Sequence, residues 1–354
     1  MAIAKEVMIK NNAVINKIAA YPRMRYMGSK YKIIPTLVEV FSDFNFNTAL
    51  DGFSGSGIVS YALKTMGKTV HSNDYLNFPI EIAKATTGNP GLTAKETITE
   101  LLETVPVRKD FIQTTFNGLY FGQEDHRFLD HIWTCLPFID DPYQSSLVIA
   151  SMCLASVRKQ NRGVFTVTDL RYDDGRRDLQ LSMKEQFYRA LQEYENVAFD
   201  DGHLHTAGQS DVFDITQHFD LVYFDPPYMP KSDDNDYVKR YHFLEGLSKY
   251  WVGETIRTDT KTRKIPKKPT RFGNRSHIAE TFYDLFKKYA DSTIVLSYSS
   301  NGLPTLDVLT ATLREFKPVV EVVRVPHRYS FGTHENVGTN SNLVEEYIII
   351  GAEK

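Results

Sequence analysis

Residues 48–57 read Thr-Ala-Leu-Asp-Gly-Phe-Ser-Gly-Ser-Gly, a short apolar run that leads into a glycine-rich loop. The next residues, 58–66, carry apolar side chains at helical spacing, and Gly67 stands where a helix-terminating glycine would stand. Residues 69–72 form a second short apolar run, and Asp74 follows it closely. Strand, glycine loop, helix and strand in this order predict a βαβ unit, and therefore an α/β protein with a parallel sheet.

The remaining sequence divides into regions of different pattern. We predict one α/β domain formed by residues 1–85 and 201–354, interrupted by a mainly helical insertion at residues 86–200. The predicted helices are 31–41, 94–103, 126–136, 144–157, 182–194, 279–289 and 306–316, and further strands are predicted at 221–224, 292–297, 319–325 and 346–350. Residues 1–20 are predicted to be a helical or loose lead-in, and residues 231–277 a long polar segment.

The composition is that of an ordinary globular protein. A net charge of -3 neither identifies nor excludes a nucleic-acid partner, because an acidic total can hide a basic face. No apolar stretch reaches the roughly 20 residues needed to span a bilayer, and residues 1–17 lack the order of a signal peptide. We therefore expect a cytoplasmic protein without a membrane partner.

The potential metal ligands do not form a recognisable site. Two cysteines, Cys135 and Cys153, are too few for a disulfide framework or a four-ligand zinc site. Four histidines have no cysteine or carboxylate partner at ligand spacing: His126, His131, His203 and His205. We expect no metal.

The glycine loop favours a nucleoside-bearing cofactor. Asp74 stands 17 residues after Gly57, at the end of the next predicted strand, where an acid can accept hydrogen bonds from ribose hydroxyls. The loop lacks the third glycine of the dinucleotide fingerprint, and no phosphate loop is present. S-adenosylmethionine, which carries no phosphate, suits such a loop, although a plain tight turn has the same glycine pattern.

Asp225-Pro226-Pro227-Tyr228, directly after the apolar run 221–224, is the most specific motif of the chain. Consecutive prolines fix the backbone in an extended exit from the strand. Asp225 and the Pro226 carbonyl can accept the two hydrogens of an exocyclic amino group, and Tyr228 can stack on its base. The motif predicts methyl transfer to such a group, and a rigid structural loop is the alternative.

These motifs resemble those of the alpha-group, Dam-type DNA adenine N6-methyltransferases. The glycine loop is similar to the family's cofactor loop, the segment 225–228 to its catalytic motif, and Arg25-Tyr26-Met27-Gly28-Ser29-Lys30 to the segment that contacts the methionine moiety. Residues 208–213 resemble the segment whose Asp211 and Val212 contact the cofactor's adenine, and the resemblance continues less specifically through 241–247 and 297–300. Tyr26 stands where many relatives carry tryptophan.

The resemblance implies an α/β fold with a class I SAM-dependent methyltransferase (Rossmann-like) sheet, one antiparallel edge strand and target recognition by the insertion. It implies catalytic roles for Asp225, Pro226, Pro227 and Tyr228. The implied cofactor-binding residues are Tyr26, Met27, Gly28, Lys30, Asp51, Phe53, Ser54, Gly55, Gly57, Asp74, Asp211, Val212 and Asp225.

Two basic segments are candidates for contacts with double-stranded DNA. Residues 256–277 hold eight basic side chains against one acid, and such a stretch can track phosphates. The candidates are Lys261, Arg263, Lys264, Lys267, Lys268 and Arg271 there, and Arg158, Lys159, Asn161 and Arg162 in the insertion, where base edges could be read. A solvated loop in the first case and a capping or surface role in the second explain the same residues equally well.

We therefore predict a DNA adenine N6-methyltransferase that uses S-adenosylmethionine on a flipped base, without a metal or a covalent intermediate, and with a possible cognate restriction endonuclease. The nearest alternatives are methylation of the cytosine N4 amino group or of RNA. An aspartate at position 225 favours adenine. A catalytically silent DNA-binding regulator on the same fold is the alternative from another class.

Overall fold

The computed structural model describes residues 2–160, 163–166, 168, 175–230, 237–328 and 343–354. These residues form a seven-stranded mixed sheet with the strands β1 (Thr48–Asp51), β2 (Thr69–Asp74), β3 (Thr206–Gln209), β4 (Leu221–Phe224), β5 (Thr293–Ser299), β6 (Val319–Arg328) and β7 (Leu343–Ala352). Met229–Pro230 and Gly302–Leu303 form a separate antiparallel pair. The strand order is β3-β2-β1-β4-β5-β7-β6. The mostly parallel α/β sheet confirms the predicted fold class, that of a class I methyltransferase.

The antiparallel strand lies inside the sheet, so its expected position at the edge was wrong. The strands β1 to β5 run parallel, whereas β7 pairs antiparallel with both β5 and β6. Ile348 and Ile349 of β7 are fully buried, while Glu321 and Arg324 of β6 are exposed. The more apolar strand of this consecutive pair therefore occupies the interior, and the charged strand β6 forms the edge.

Helices cover both faces of the sheet. The helices are α1 (Ala2–Ala19), α2 (Ile34–Ser42), α3 (Ile58–Thr65), α4 (Asn77–Ala83), α5 (Lys95–Thr104), α6 (Phe111–Thr115), α7 (Gln123–Cys135), α8 (Pro142–Lys159), α9 (Arg177–Gln180), α10 (Met183–Val197), α11 (Tyr237–Leu247), α12 (Ile278–Lys288) and α13 (Leu306–Arg314). Ala49, Leu221 and Tyr223 pack with α1 to α3 on one face. Leu50 and Val222 pack with α12 and α13 on the other. Alternate residues of each strand thus enter different cores, as expected for parallel strands buried on both faces.

A third apolar cluster surrounds α8, most of whose residues are buried along the whole helix. Helices α5, α7 and α10 pack around it, and all three were predicted from the helical spacing of the sequence. Asp141 caps α8 by accepting from the backbone of residues 143 and 144. The assignment of residues 86–200 to target recognition stays a prediction.

The predicted polar segment at residues 231–277 is in part a buried helix. Phe243, Leu244 and Leu247 of α11 are fully buried in the same cluster as α8, which joins this helix to the insertion. The sequence pattern hid the helix because its buried aromatics alternate with Lys239, Arg240 and other polar residues. Strand β3 was also not predicted, since its sequence, Thr-Ala-Gly-Gln, contains no apolar run.

Candidate active site

Two loops leave neighbouring strands at the carboxyl edge of the sheet. Asp51 of β1 pairs with Tyr223 of β4, and the Gly52 N–H donates to the Tyr223 carbonyl over 2.9 Å. The glycine loop after β1 leads back to β2 on one side, and the chain after β4 leads to β5 on the other. Such a divergence of connections creates the crevice in which open α/β sheets bind ligands.

A cleft of about 1240 Å³, partly open to solvent, lies at this edge. It is lined by residues from the segments 26–30, 52–56, 73–76, 210–212, 223–229, 237–238 and 267–273. Its lining combines apolar and aromatic side chains with a few polar groups, as ligand-binding clefts do. The structure therefore brings the glycine loop and the Asp225–Tyr228 motif into one cleft.

The glycine loop is closely packed and needs glycine at two positions. Gly55 and Gly57 have φ angles of +49° and +77°. A Cβ on Gly55 would lie 2.8 Å from Cε1 of Tyr26, and one on Gly57 would lie 2.5 Å from Oη of Tyr21. Any side chain at either position would therefore strain the backbone and displace a buried tyrosine.

Hydrogen-bonding groups around the loop face the cleft. Asp74 accepts from the N–H groups of Gly55 and Leu76, each over 2.9 Å, and burial raises its pKa to about 6. Each of its oxygens still has a lone pair for a ligand. Ser29 and Ser54 also line the cleft, but their hydroxyl oxygens are buried and have no hydrogen-bond partner among the described residues. The remaining lone pairs of Asp74 are therefore the acceptors that this loop region offers to a polar ligand.

Most of the predicted cofactor residues line the cleft, but Asp51 and Gly57 do not. Asp51 is fully buried beneath the loop, where its Oδ2 accepts from the N–H and hydroxyl of Ser60 over 3.0 and 2.7 Å. Burial raises its pKa to about 7. Asp51 thus anchors the start of α3 under the loop and does not line the cleft. The residues that do line the cleft are Tyr26, Met27, Gly28, Lys30, Phe53, Ser54, Gly55, Asp74, Asp211, Val212 and Asp225.

Asp225 is held by a buried lysine. The Lys30 ammonium lies 2.9 Å from Oδ1 of Asp225, 2.9 Å from Oε1 of Glu346 and 2.9 Å from the Gly28 carbonyl, to which it donates. It also donates to Oη of Tyr228 over 3.3 Å. Burial raises the pKa of Asp225 to about 7, although Lys30 opposes the rise. Burial alone would lower the pKa of Lys30, but its acidic neighbours raise it well above its usual value.

The sequence model of the D12 class N6 adenine-specific DNA methyltransferases matches residues 26–298. The chain belongs to this family. Both cleft-forming motifs lie within the matched range. The protein is therefore an adenine-specific DNA methyltransferase, an enzyme that takes a methyl group from a donor and transfers it to DNA.

Modification enzymes of bacteria are similar to this D12 class methyltransferase over most of its length. The Type II methyltransferase M2.HphI of Haemophilus parahaemolyticus is 28% identical, with 92% of this chain and 97% of the relative covered. The Type II methyltransferase M.NlaIII of Neisseria lactamica is 22% identical, with 92% and 98% covered. The modification methylase StsI of Streptococcus sanguinis is 25% identical, with 92% of this chain but 51% of the relative covered.

Aromatic side chains form a wall of the methyltransferase cleft beside Gly55 of the glycine loop. The rings of Tyr26 and Tyr241 are stacked at 4.9 Å, and Tyr237 lies 5.7 Å from Tyr26. The Met27 N–H donates to Oη of Tyr241 over 2.7 Å, which fixes the segment that carries Lys30. The departure from tryptophan at position 26 therefore leaves an aromatic ring on this wall.

Two of the residues predicted to contact DNA form ion pairs within the protein. Both terminal nitrogens of Arg158 donate to the Glu193 carboxylate, and only 9% of Arg158 is exposed. Lys159 lies 3.1 Å from Oδ2 of Asp125 and donates to the Leu181 carbonyl. Because a carboxylate of the protein already pairs with each cation, we do not propose these two residues as DNA contacts. The other two candidates of this segment, Asn161 and Arg162, lie outside the described residues.

Residues from 267–273 of the basic segment line the cleft, and the cations of the segment differ in their surroundings. Lys267 and Lys268 line the cleft, but Lys268 also lies 2.7 Å from Glu254 and 3.1 Å from Glu245. Arg271 pairs with Asp284 and stacks over the Phe213 ring. Among the described residues of the segment, three exposed or half-exposed cations have no carboxylate within ion-pair distance: Lys261, Arg263 and Lys264.

Several cleft residues were missed from the sequence. Phe272 and Tyr237 line the cleft, and Glu346 contacts Lys30 from β7. Tyr237 begins a helix that was not predicted, and Phe272 lies in the segment assigned to DNA. Glu346 offered no signal, since an acid in a strand pattern near the chain end is usually a solvated one.

Neither a metal centre nor a membrane span is found in the described ranges. Within them, no group of three or more histidine, cysteine, aspartate or glutamate side chains could hold a metal ion. No helix of these ranges is long and apolar enough to cross a membrane. Both cysteines are buried and unpaired.

Proposed function

We propose that the cleft binds S-adenosylmethionine beside a flipped-out adenine of duplex DNA, and that the enzyme transfers the methyl group directly to the N6 amino nitrogen. One observation carries the proposal: the glycine loop and Asp225 leave adjacent strands and line one cleft. A cofactor held by the loop would thereby lie next to a base held by Asp225.

The residues of the cleft fit S-adenosylmethionine. We expect Asp74 to accept from the ribose hydroxyls, since it lines the cleft and each of its oxygens has a lone pair left. Phe53, Val212 and Phe272 provide apolar surface for the adenine moiety. When bound, S-adenosylmethionine supplies an electrophilic methyl group on a sulfonium.

Asp225 and its neighbours are proposed to orient the target base. The amino nitrogen of adenine is a poor nucleophile, because its lone pair is delocalised into the ring. Asp225 and the Pro226 carbonyl would accept the two amino hydrogens and bias the nitrogen towards tetrahedral geometry. Pro227 keeps this exit rigid. Tyr228 would stack on the base, which contributes about 1–3 kcal/mol by analogy with single-strand binders.

A base in a duplex cannot reach this cleft, so the target adenine must be flipped out at a cost of a few kcal/mol. We propose that the basic segment, with Lys261, Arg263, Lys264 and Lys267, holds the DNA backbone at the cleft while this occurs. Lys268 and Arg271 belong to the same segment but hold it to the protein.

The names of the relatives suggest the biological setting. We propose that the enzyme protects DNA as a cytoplasmic modification methylase, with a cognate restriction endonuclease as its functional partner. Digestion of DNA from expressing cells by candidate endonucleases tests this role, and protection of a defined sequence is the expected result.

Replacing Asp225 tests the catalytic assignment. In Asp225→Ala, we expect methyl transfer to fall by at least about a thousandfold, because both orientation and the acceptor for the amino group are lost. Isothermal titration should still detect S-adenosylmethionine binding, because the glycine loop and Asp74 are unchanged. Mass spectrometry of digested DNA measures N6-methyladenine, and retained transfer by the variant would end this assignment.

A further inference from the structure

A buried charge cluster of three residues lies on the floor of the cleft. Lys30 is 5% exposed and Glu346 2% exposed, and the Asp225 side chain is 18% exposed. The single ammonium is 2.9 Å from an oxygen of each carboxylate. Two acids therefore share one cation in a site that is poorly accessible to water.

The antiparallel strand brings Glu346 to this position. Glu346 lies near the start of β7 and pairs with Ser299 at the end of β5. Because β7 runs against the other strands, its first residues reach the carboxyl edge, where Asp225 lies. The neighbouring Glu345 is 47% exposed and lies 3.4 Å from Arg324 of the edge strand. Only one of two consecutive glutamates thus enters the active-site floor.

Stability alone is a weak reason for such a cluster. Buried ion pairs often contribute little net free energy, because desolvation of both partners offsets their attraction. A second buried acid beside Asp225 also repels the first one. The cluster instead suits a role in the reaction, because Lys30 links Glu346 to Asp225, the residue proposed to orient the base.

We propose that Glu346 is a positioning residue for methyl transfer: it holds the Lys30 ammonium against Oδ1 of Asp225 and sets the protonation of that carboxylate. The inference rests on the proposed function of Asp225. Glu346 does not need to touch the base or the cofactor in this role. Its negative charge makes the three ionised groups carry a net charge of -1 at the place where a cationic methyl donor would bind.

The charge of Glu346 predicts the direction of a pH shift. The ionisable groups that act on Asp225 or feel its charge are Lys30, Glu346, Asp51, Tyr26 and Tyr223, and Tyr228 acts on Lys30. Glu346 raises the pKa of Asp225, and Lys30 lowers it. In Glu346→Gln, the ionised form of Asp225 loses a repulsive neighbour, so its pKa falls. In Lys30→Met, it loses its cation, so its pKa rises.

Single-turnover methyl transfer, measured with saturating DNA and S-adenosylmethionine from about pH 5.5 to about pH 8.5, tests this prediction. We expect the acid limb of Glu346→Gln to lie roughly half to one pH unit below that of the wild type, and the limb of Lys30→Met to lie above it. Glu346→Gln keeps the shape and an oxygen acceptor. Glu346→Ala removes both, so its rate at high pH should fall by about tenfold or more.

Glu345→Gln and Glu345→Ala are the matched controls, since they change the next residue of the same strand. We expect both to keep the wild-type acid limb and rate within about twofold. A second readout avoids activity: the carbon-13 carboxyl signal of Asp225, assigned by its absence in Asp225→Asn, should titrate at lower pH in Glu346→Gln. An unchanged or upward shift in this variant would overturn the inference.

The failure of the inference and of the proposed function can be told apart. If Asp225→Ala still methylates adenine, the proposed function fails, whatever Glu346 does. If Asp225→Ala is inactive but Glu346→Gln titrates like the wild type, the role of Asp225 stands and that of Glu346 is wrong. Thermal unfolding of each variant identifies any that fails to fold, and the isosteric glutamine then decides the outcome.

Discussion

Asp225 and Asp74 are both buried carboxylates of one cleft, yet they should titrate differently. Burial raises the pKa of Asp225 to about 7 and that of Asp74 to about 6. Asp74 is stabilised in its ionised form by two backbone N–H groups, and Asp225 has Glu346 as an acidic neighbour. The two proposed roles, cofactor binding and base orientation, should therefore be lost at different pH.

We expect methyl transfer by the wild type to fall before cofactor binding does as the pH is lowered. Because the pKa of Asp225 is raised to about 7, its carboxylate is ionised above about pH 7 and becomes protonated below it. The protonated group accepts the amino hydrogen of the base less well, so methyl transfer slows. Asp74 stays ionised down to about pH 6. Single-turnover rates and titration calorimetry over the same pH series measure the two losses. Parallel loss of both activities would contradict the separate assignments.

Single residues also show where sequence reasoning stops. Asp225 was found because a proline pair follows it directly. The glycines were found because they stand between a predicted strand and a predicted helix, where a tight turn is needed. The contact between Lys30 and Glu346 joins positions far apart in the chain, and it depends on β7 entering the sheet between β5 and β6. Arg158 was predicted to contact DNA because its pairing with Glu193 depends on the fold and is not visible in the sequence.

Strands could be predicted where an apolar run is followed closely by glycine or proline. Strands β1 and β4 were predicted with their observed bounds, because glycine or proline follows each apolar run at once. Helix α11 was missed, because polar and apolar residues are mixed around it: His242 and Glu245 are fully buried beside the aromatics, so its apolar residues do not mark one face. Its residue Tyr241 also breaks the helical dihedrals with a φ of -117°.

Helix α11 is tied to the basic segment and to the cofactor side of the cleft by Glu245. This fully buried acid accepts from the Asn77 N–H over 2.6 Å and lies 3.1 Å from Lys268 and 3.0 Å from Lys249. Both lysines also contact Glu254. The four side chains form one network at the wall of the cleft, so we expect Lys268 to act as a structural cation.

We therefore expect Lys268→Met to lower the free energy of unfolding by about 1–3 kcal/mol, because Glu245 stays buried with one cation fewer. Affinity for S-adenosylmethionine should also fall, since the segment beside Lys268 lines the cleft. Denaturant unfolding and calorimetry measure the two effects. Lys261→Met, an exposed lysine of the same segment, is the control and should change stability by less than about 0.5 kcal/mol. Equal effects of the two substitutions would refute the network.

Considered as one molecule, the enzyme carries a net charge of -3 and must still bind DNA, which is a polyanion. This is possible because charge is distributed unevenly: residues from 267–273 of the basic segment line the cleft at the carboxyl edge of the sheet, and Lys261, Arg263 and Lys264 precede them in the chain. Other cations lie elsewhere, since Lys287, Lys288 and Arg314 end helices that lead into β5 and β6 at the opposite, amino edge. Position, and not total charge, should then decide which cations contact DNA.

The salt dependence of DNA binding separates these two groups of cations. Each phosphate contact releases counterions and contributes about 0.9 to the slope of log K against log salt concentration. Replacing Lys261, Arg263 and Lys264 with alanine should therefore reduce the magnitude of the slope by roughly 2–3 and weaken binding to every duplex alike, whatever its sequence. Replacing Lys287, Lys288 and Arg314 with alanine changes the net charge by the same amount. That control should leave the slope nearly unchanged, because the amino edge faces away from the cleft. Fluorescence anisotropy over a salt series, with S-adenosylmethionine absent, measures both slopes. If the two triple variants lose equal slope, the DNA interacts only with the total charge, and the basic segment has no special place in binding.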